Sequence, residues 1–213
     1  MSSTSDRLTA LLDRHGRTFC DELGIDIVSG RPAALFQWLV ASNLYSTRIG
    51  AKLATAGAKA LFEDGLTTAQ KLCDAGWERR VKLLNGAGYA RMDERYSAIL
   101  GDMAEQILKR YHGDLRRLRT EAESKVGAEI DALTDLKGIG PSGVDIFRRE
   151  AQCVWTELAP FMDKKARAAA RDLDLPDEAC AMKDLAGERL VTAVAALVRT
   201  DLEGDAGEIR KAA

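Results

Sequence analysis

The sequence predicts an all-α protein. Apolar residues recur at helical spacing along the chain, Val/Ile/Thr alternation of strand type is nowhere sustained, and Gly16, Gly30-Arg31-Pro32 and Gly113 punctuate the periodic stretches. Residues 4–15 open the series with Leu8, Leu11 and Leu12 on one face, Thr4 or Ser5 as N-cap and Gly16 as the stop. Pro32 stands in the first turn of the next helix, where a missing N–H costs little. Residues 33–45 are apolar almost all round and read as central to the core. Residues 47–62, rich in Ala and Gly, permit close helix approach, and shorter helices follow at 67–75 and 77–84. A long amphipathic helix over 91–111 turns Met92, Tyr96, Ile99, Met103, Ile107 and Leu108 inward and stops at Gly113. Helices at 128–136, 142–152, 161–173 and 185–202 bring the expected total to about ten, and residues 204–213 read as a frayed tail.

A chain of 213 residues with 46% hydrophobic and 30% charged residues is an ordinary globular protein, of one large domain or two small ones. Its net charge of −2 gives no hint of nucleic acid unless basic residues cluster locally. Cys20, Cys73, Cys153 and Cys180 form no CxxC pair, which suggests neither a zinc site nor a disulfide framework and suits a reducing cytoplasm. No stretch has the length of a signal peptide's apolar region or approaches the roughly 20 apolar residues of a membrane span, so a soluble cytoplasmic protein with no membrane partner is expected.

The string LKGIGPSGV, within 136–152, carries the most specific local signal. Gly138 and Gly140 permit a tight turn with positive φ and leave no side chain to block a close ligand. Ile139 can tuck inward, while Pro141 and Ser142 start a helix whose first N–H groups lack internal partners and suit a phosphate. Two readings are open: a helix-hairpin-helix that grips a nucleic-acid backbone, or a plain helical corner whose glycines only make the turn.

Several separated stretches between about residues 33 and 175 bear on that choice. LFQWLVASNLYST, LLNGAGYARMDERYSAILGDMAEQILKRYHGDL, LTDLKGIGPSGVDIF and FMDKKARAAARDLDL follow in order. Together they resemble the early core helix, the glycine-tyrosine turn with its long helix, the hairpin, and the following segment of the endonuclease III (HhH-GPD) superfamily of DNA glycosylases. The resemblance implies a two-lobed helical fold: a helical barrel over 32–144 that includes most of the hairpin, a second lobe from 1–31 plus 145–213, and an active cleft between them.

It also implies a function, base-excision repair on double-stranded DNA by a monomer that hydrolyses the N-glycosidic bond of a damaged or mismatched base. The family's catalytic aspartate falls on Asp163, where a carboxylate favours the positive charge developing on the sugar; a plain helix N-cap is the other reading of this residue. The lysine of bifunctional members is replaced by Ser142, which cannot form an imine, so lyase chemistry by that route is excluded and a monofunctional enzyme is expected. Residues 33–45 contain no Asp or Glu to protonate adenine, which argues against adenine excision by the related branch. No cysteine follows Cys180, so no iron–sulfur cluster is expected; the hairpin carbonyls of Leu136 and Ile139 would hold at most a monovalent cation.

DNA contacts are expected from Lys137, Gly138, Ile139, Gly140, Ser142 and Gly143, from Lys164 and Lys165 beside Asp163, and from Asn43, which stands where relatives place a gap-filling Gln. Trp38 and Tyr45 are either pocket walls or core. Five Lys/Arg against one acid over 109–119, with Arg148-Arg149 and Lys164-Lys165-Arg167, offer a basic field, while acids gather over 121–135; solvated helix faces explain the same runs. Two other functions stay open: a non-catalytic binder of damaged DNA on the same scaffold, and a glycosylase/lyase that uses another lysine.

Overall fold

A computed structural model of the chain describes residues 3–47, 49–89 and 92–213. Arg91, the expected start of the long helix, and Arg48, inside the expected 47–62 helix, lie outside the described residues. Among the described residues the protein is all-α, with no strand. The helices are α1 (Thr4–His15), α2 (Phe19–Leu23), α3 (Pro32–Tyr45), α4 (Ala51–Glu63), α5 (Ala69–Asp74), α6 (Gly76–Leu84), α7 (Asp93–Tyr111), α8 (Leu115–Glu121), α9 (Val126–Thr134), α10 (Pro141–Ala151), α11 (Lys164–Asp172), α12 (Ala179–Ala186), α13 (Leu190–Glu203) and α14 (Ala206–Ala212). None of them is long and apolar enough to cross a membrane. The chain forms two compact units, one of residues 25–147 and one of residues 1–24 with 148–213, the boundary falling inside α10.

In the 25–147 unit, α3 is the buried axis. Leu35, Trp38, Leu39, Val40, Ala41 and Leu44 are fully enclosed, and the Trp38 indole N–H donates to the Phe147 carbonyl at 2.8 Å. The Ser46 and Thr47 hydroxyls bend back onto the carbonyls of Asn43 and Leu44, each at 2.7 Å, and end α3 before α4 can begin; hence α4 starts at Ala51 and not at Thr47. Gly57 in α4 gives the Tyr89 ring its seat, since a Cβ there would lie 2.7 Å from the ring. The α6–α7 contact is fixed by Arg80, which donates to the Ser97 carbonyl at 3.1 Å and the Leu72 carbonyl at 2.7 Å over the bare backbone of Gly101. On α7 the buried set is Leu100, Met103, Ala104, Ile107 and Tyr111, whereas Met92, Tyr96, Ile99 and Leu108 are only half-buried. The helix ends through His112 at φ +53°, one residue before the expected Gly113 stop.

In the other unit, α13 is enclosed along Ala193–Val198, and α1, α11 and α12 pack on it. Ala166, Ala169 and Ala170 present α11's buried face to α13, small side chains that let two helices approach closely. The N-cap of α1 is Ser3, not Thr4 or Ser5, in a reciprocal capping box with Asp6. Two expected elements differ in extent. The 161–173 helix begins only at Lys164, and the 185–202 helix is two, broken after Ala186 at Gly187 with φ +60°. The expected frayed tail is α14, which packs on α1, buries Ile209 and is tethered by Asp205 to Arg14 and His15.

Candidate nucleic-acid interface

The turn between α9 and α10 is built from a few bonds. Ile139 N–H donates to the Leu136 carbonyl at 3.0 Å and Lys137 N–H to the Gln106 side chain at 2.6 Å, which ties the turn to α7. Gly138 has φ +78°, and a Cβ on it would lie 2.3 Å from Ile99 Cγ2 and 2.7 Å from Asn43 Nδ2. Conformation and space both exclude a side chain there. Gly140 differs from the expectation: its φ is not left-handed, and nothing lies within 4 Å of a Cβ built on it. Ile139 is 3% exposed and pins the turn from below. Of the two carbonyls expected to face a cation, that of Leu136 already accepts the turn hydrogen bond.

Beyond the turn, Pro141 and Ser142 are exposed and Gly143 is buried. The first backbone bond of α10 runs from Val144 N–H to the Gly140 carbonyl at 3.0 Å. Among the described residues the N–H groups of Ser142 and Gly143, in the first turn, have no backbone partner, so the helix offers two donors and the positive end of its dipole. A recess of about 320 Å³ opens at this end, with Asn43 and Ser46 of the α3 terminus, Arg95, Tyr96 and Ile99 of α7, and the hairpin residues Gly138, Gly140, Ser142 and Gly143 on its walls. The structure thus brings together Asn43 and most of the expected hairpin contacts. Arg95, Ser46 and Gln106 escaped the sequence reading, and Tyr96 and Ile99 were assigned to the core; their half-burial at the edge of the α7 stripe is a property that periodicity alone does not resolve.

The other expected residues are spent differently. Asp163 is the N-cap of α11, its Oδ1 accepting N–H bonds from Lys165 at 2.9 Å and Ala166 at 3.2 Å. Its Oδ2 takes the Arg149 guanidinium at 2.6 Å, and both side chains are 6% exposed. Lys165 pairs with Asp201 at 2.7 Å and Arg167 with Glu178, while Lys164 is exposed without an ion pair among the described residues. Arg148 stacks on Phe161 with its guanidinium 3.8 Å from the ring centre. Arg116 turns back onto Asp114 at 2.7 Å and Arg110 lies near Asp135 at 3.7 Å. The basic runs are therefore largely neutralised by local acids. Trp38 is core, and Tyr45 shares a 2.7 Å hydrogen bond with Thr55. Asn43 is 1% exposed under the turn, so its amide does not reach outward from this position.

No known family, curated protein or solved structure matches this chain. What the site can do is decided by its own chemistry: two free backbone donors, a hydroxyl, a nearby guanidinium and an exposed lysine, all suited to an oxyanion.

Proposed function

We propose that the chain is a helix-hairpin-helix protein of base-excision repair, with the two-lobed fold of the endonuclease III superfamily it resembles. It holds the backbone of double-stranded DNA and hydrolyses the N-glycosidic bond of a damaged or mismatched base. The observation that carries this reading is the hairpin: Gly138 in the left-handed region, Ile139 anchored, and an exposed α10 N-terminus with free N–H groups beside Lys137. Such donors bind phosphate without reading sequence. Ser142 at the mouth of the helix can donate a hydrogen bond but cannot form an imine, so base release ends at an abasic site.

In this reading Asp163 stabilises the oxocarbenium-like sugar. A carboxylate saturated by two N–H groups and a guanidinium is well oriented, but its charge is already balanced, so excision requires Arg149 to release Oδ2 when the sugar develops its charge. The same ion pair favours a second reading, a scaffold that binds damaged DNA without chemistry.

Incubation with a panel of damaged and mismatched duplexes, followed by alkali with borohydride trapping in parallel, separates them. Strand cleavage only after alkali is expected. Borohydride-trapped adducts would mean a lyase that uses another lysine; bound DNA with no abasic sites on any substrate would mean the non-catalytic scaffold. Asp163→Asn retains an N-cap oxygen and loses the charge, so it should abolish excision while duplex binding persists, with melting followed in parallel.

A further inference from the structure

Three metal-binding side chains converge where α1, α13 and α14 meet. His15 is the last residue of α1, Glu203 the last of α13, and Asp205 the N-cap residue of α14, reached through Gly204 at φ +68°. Because α1 packs on both α13 and α14, the three lie together within the unit of residues 1–24 and 148–213. One ligand atom from each side chain lies within 4.8 Å of the others. The His15 and Asp205 side chains are each 7% exposed, while Glu203 is exposed and makes no ion pair among the described residues.

Proximity of such groups alone does not make a site; the state of Asp205 points to a ligand. Its Oδ2 is taken by Arg14 and by His15 Nε2 at 3.0 Å, but its Oδ1 is buried and has no hydrogen-bond partner. An aspartate at an N-cap ordinarily accepts a helix N–H, and this one caps nothing. A bare carboxylate oxygen in the interior is costly, and a cation is one of the few groups that satisfy it. The spacing suits an ion as well. With nitrogen and oxygen ligands each about 2.1 Å from the metal, neighbouring ligands stand about 3.0–3.4 Å apart, as the His15 nitrogen and the Asp205 carboxylate do.

We propose that His15, Asp205 and Glu203 form a site for one divalent transition-metal ion of the zinc type. His15 supplies an imidazole nitrogen, Asp205 its bare Oδ1, and Glu203 closes the site from the solvent side. An imidazole beside two carboxylates selects Zn²⁺ over Mg²⁺ and Ca²⁺, which take oxygen ligands. No fourth His, Cys, Asp or Glu joins the group among the described residues, so water completes the shell. The Arg14 guanidinium, shared with Glu208 at 2.6 Å, offsets part of the negative charge and keeps the affinity moderate. The bound ion ties α14 to α1 and α13, which makes the docking of the C-terminal helix metal-dependent. The site stands independently of the DNA-binding reading.

The test is isothermal titration calorimetry on the whole protein, stripped of metal with a chelator and dialysed free of it, with ZnCl₂ and separately with MgCl₂. Zinc should bind saturably at one ion per chain, magnesium should not, and zinc should raise amide protection at Ile209. The chain has two histidines, so ring nitrogen signals read by NMR identify the ligand: His15 should shift and His112 should not. Glu203→Gln, at an exposed position, should leave the fold intact and weaken zinc binding by more than about tenfold, since even groups outside the ligand shell are worth that much. Equal zinc affinity in Glu203→Gln, a shift of His112 in place of His15, or magnesium binding as tightly as zinc overturns the site. So does the absence of zinc uptake by the unaltered protein.

Discussion

At the scale of single residues, the two hairpin glycines separate cleanly. Gly138 combines φ +78° with atoms of Ile99 and Asn43 at 2.3 and 2.7 Å from a would-be Cβ. Gly138→Ala should therefore cost about 1–3 kcal/mol in urea unfolding, from backbone strain and overpacking together. Gly140 has ordinary φ and open space, so Gly140→Ala should shift stability by no more than about 0.5 kcal/mol. If a strand approaches the turn closely, the same Gly140→Ala methyl lowers DNA affinity without touching stability, which gives the variant a second readout. Asp163 is the other decisive residue. Asp163→Ala removes the α11 cap and leaves the Arg149 guanidinium buried without its carboxylate, a loss of about 3–5 kcal/mol. Replacing Arg149 by Met in the same protein should recover much of that loss, because the uncompensated charge disappears with it. Strict additivity of the two changes in a double-mutant cycle would sink the assignment of this pair as a coupled unit.

Among the elements, α14 depends on one carboxylate. Burial alone would raise the Asp205 pKa, but bonds from Arg14 and His15 outweigh it and hold the group below the usual carboxylate range. A lowered folded pKa gives stability that is fully present above the unfolded value of about 4 and is lost as pH falls through the folded one. Acid should thus release α14, seen as loss of amide protection at Ile209, and Asp205→Asn should remove that protection already at neutral pH. Glu150 carries the opposite sign. Full burial raises its pKa despite N–H bonds from Phe19 and Cys20 at 2.7 and 2.8 Å, so its contribution is fully present below its unfolded value and is lost as pH rises through the folded one. Neither anchor was legible from sequence, since each joins residues more than a hundred positions apart. Long helices with apolar stripes were legible, as α1, α3 and α7 show. Short ones were legible only in part: α5 and α6 fall within or beside the expected 67–75 and 77–84, whereas α2 and α8, of 5 and 7 residues, were missed, although Thr18 and Asp114 carry the N-cap signal that would have found them. The hairpin turn was legible because glycine chemistry is local. The recess was not, because Arg95 and Asn43 meet the turn only through the packing of α3 and α7.

For the whole molecule, charge decides how the proposed DNA binding must behave. The sequence shows runs of Lys and Arg, yet the fold commits Arg14, Arg31, Arg79, Arg116, Arg149, Arg167, Arg171 and Arg199 to acids within the chain, and Lys165 as well. Among the described residues, exposed cations without an ion pair near the expected contacts are Arg95, Lys137 and Lys164. With a net charge of −2 there is no general field to add to them. Each phosphate neutralised releases its counterion share, so about three contacts give a log–log salt slope near −3 and roughly a 40-fold loss of affinity for a fourfold rise in salt. Titrating a paired duplex at several salt concentrations measures this directly. Lys137→Ala should reduce the magnitude of the slope by about 1 for any sequence, the mark of a single phosphate contact. A slope steeper than about −6 would mean that ion pairs such as Lys165–Asp201 open to engage the strand, and the hairpin would then be a minor part of the interface.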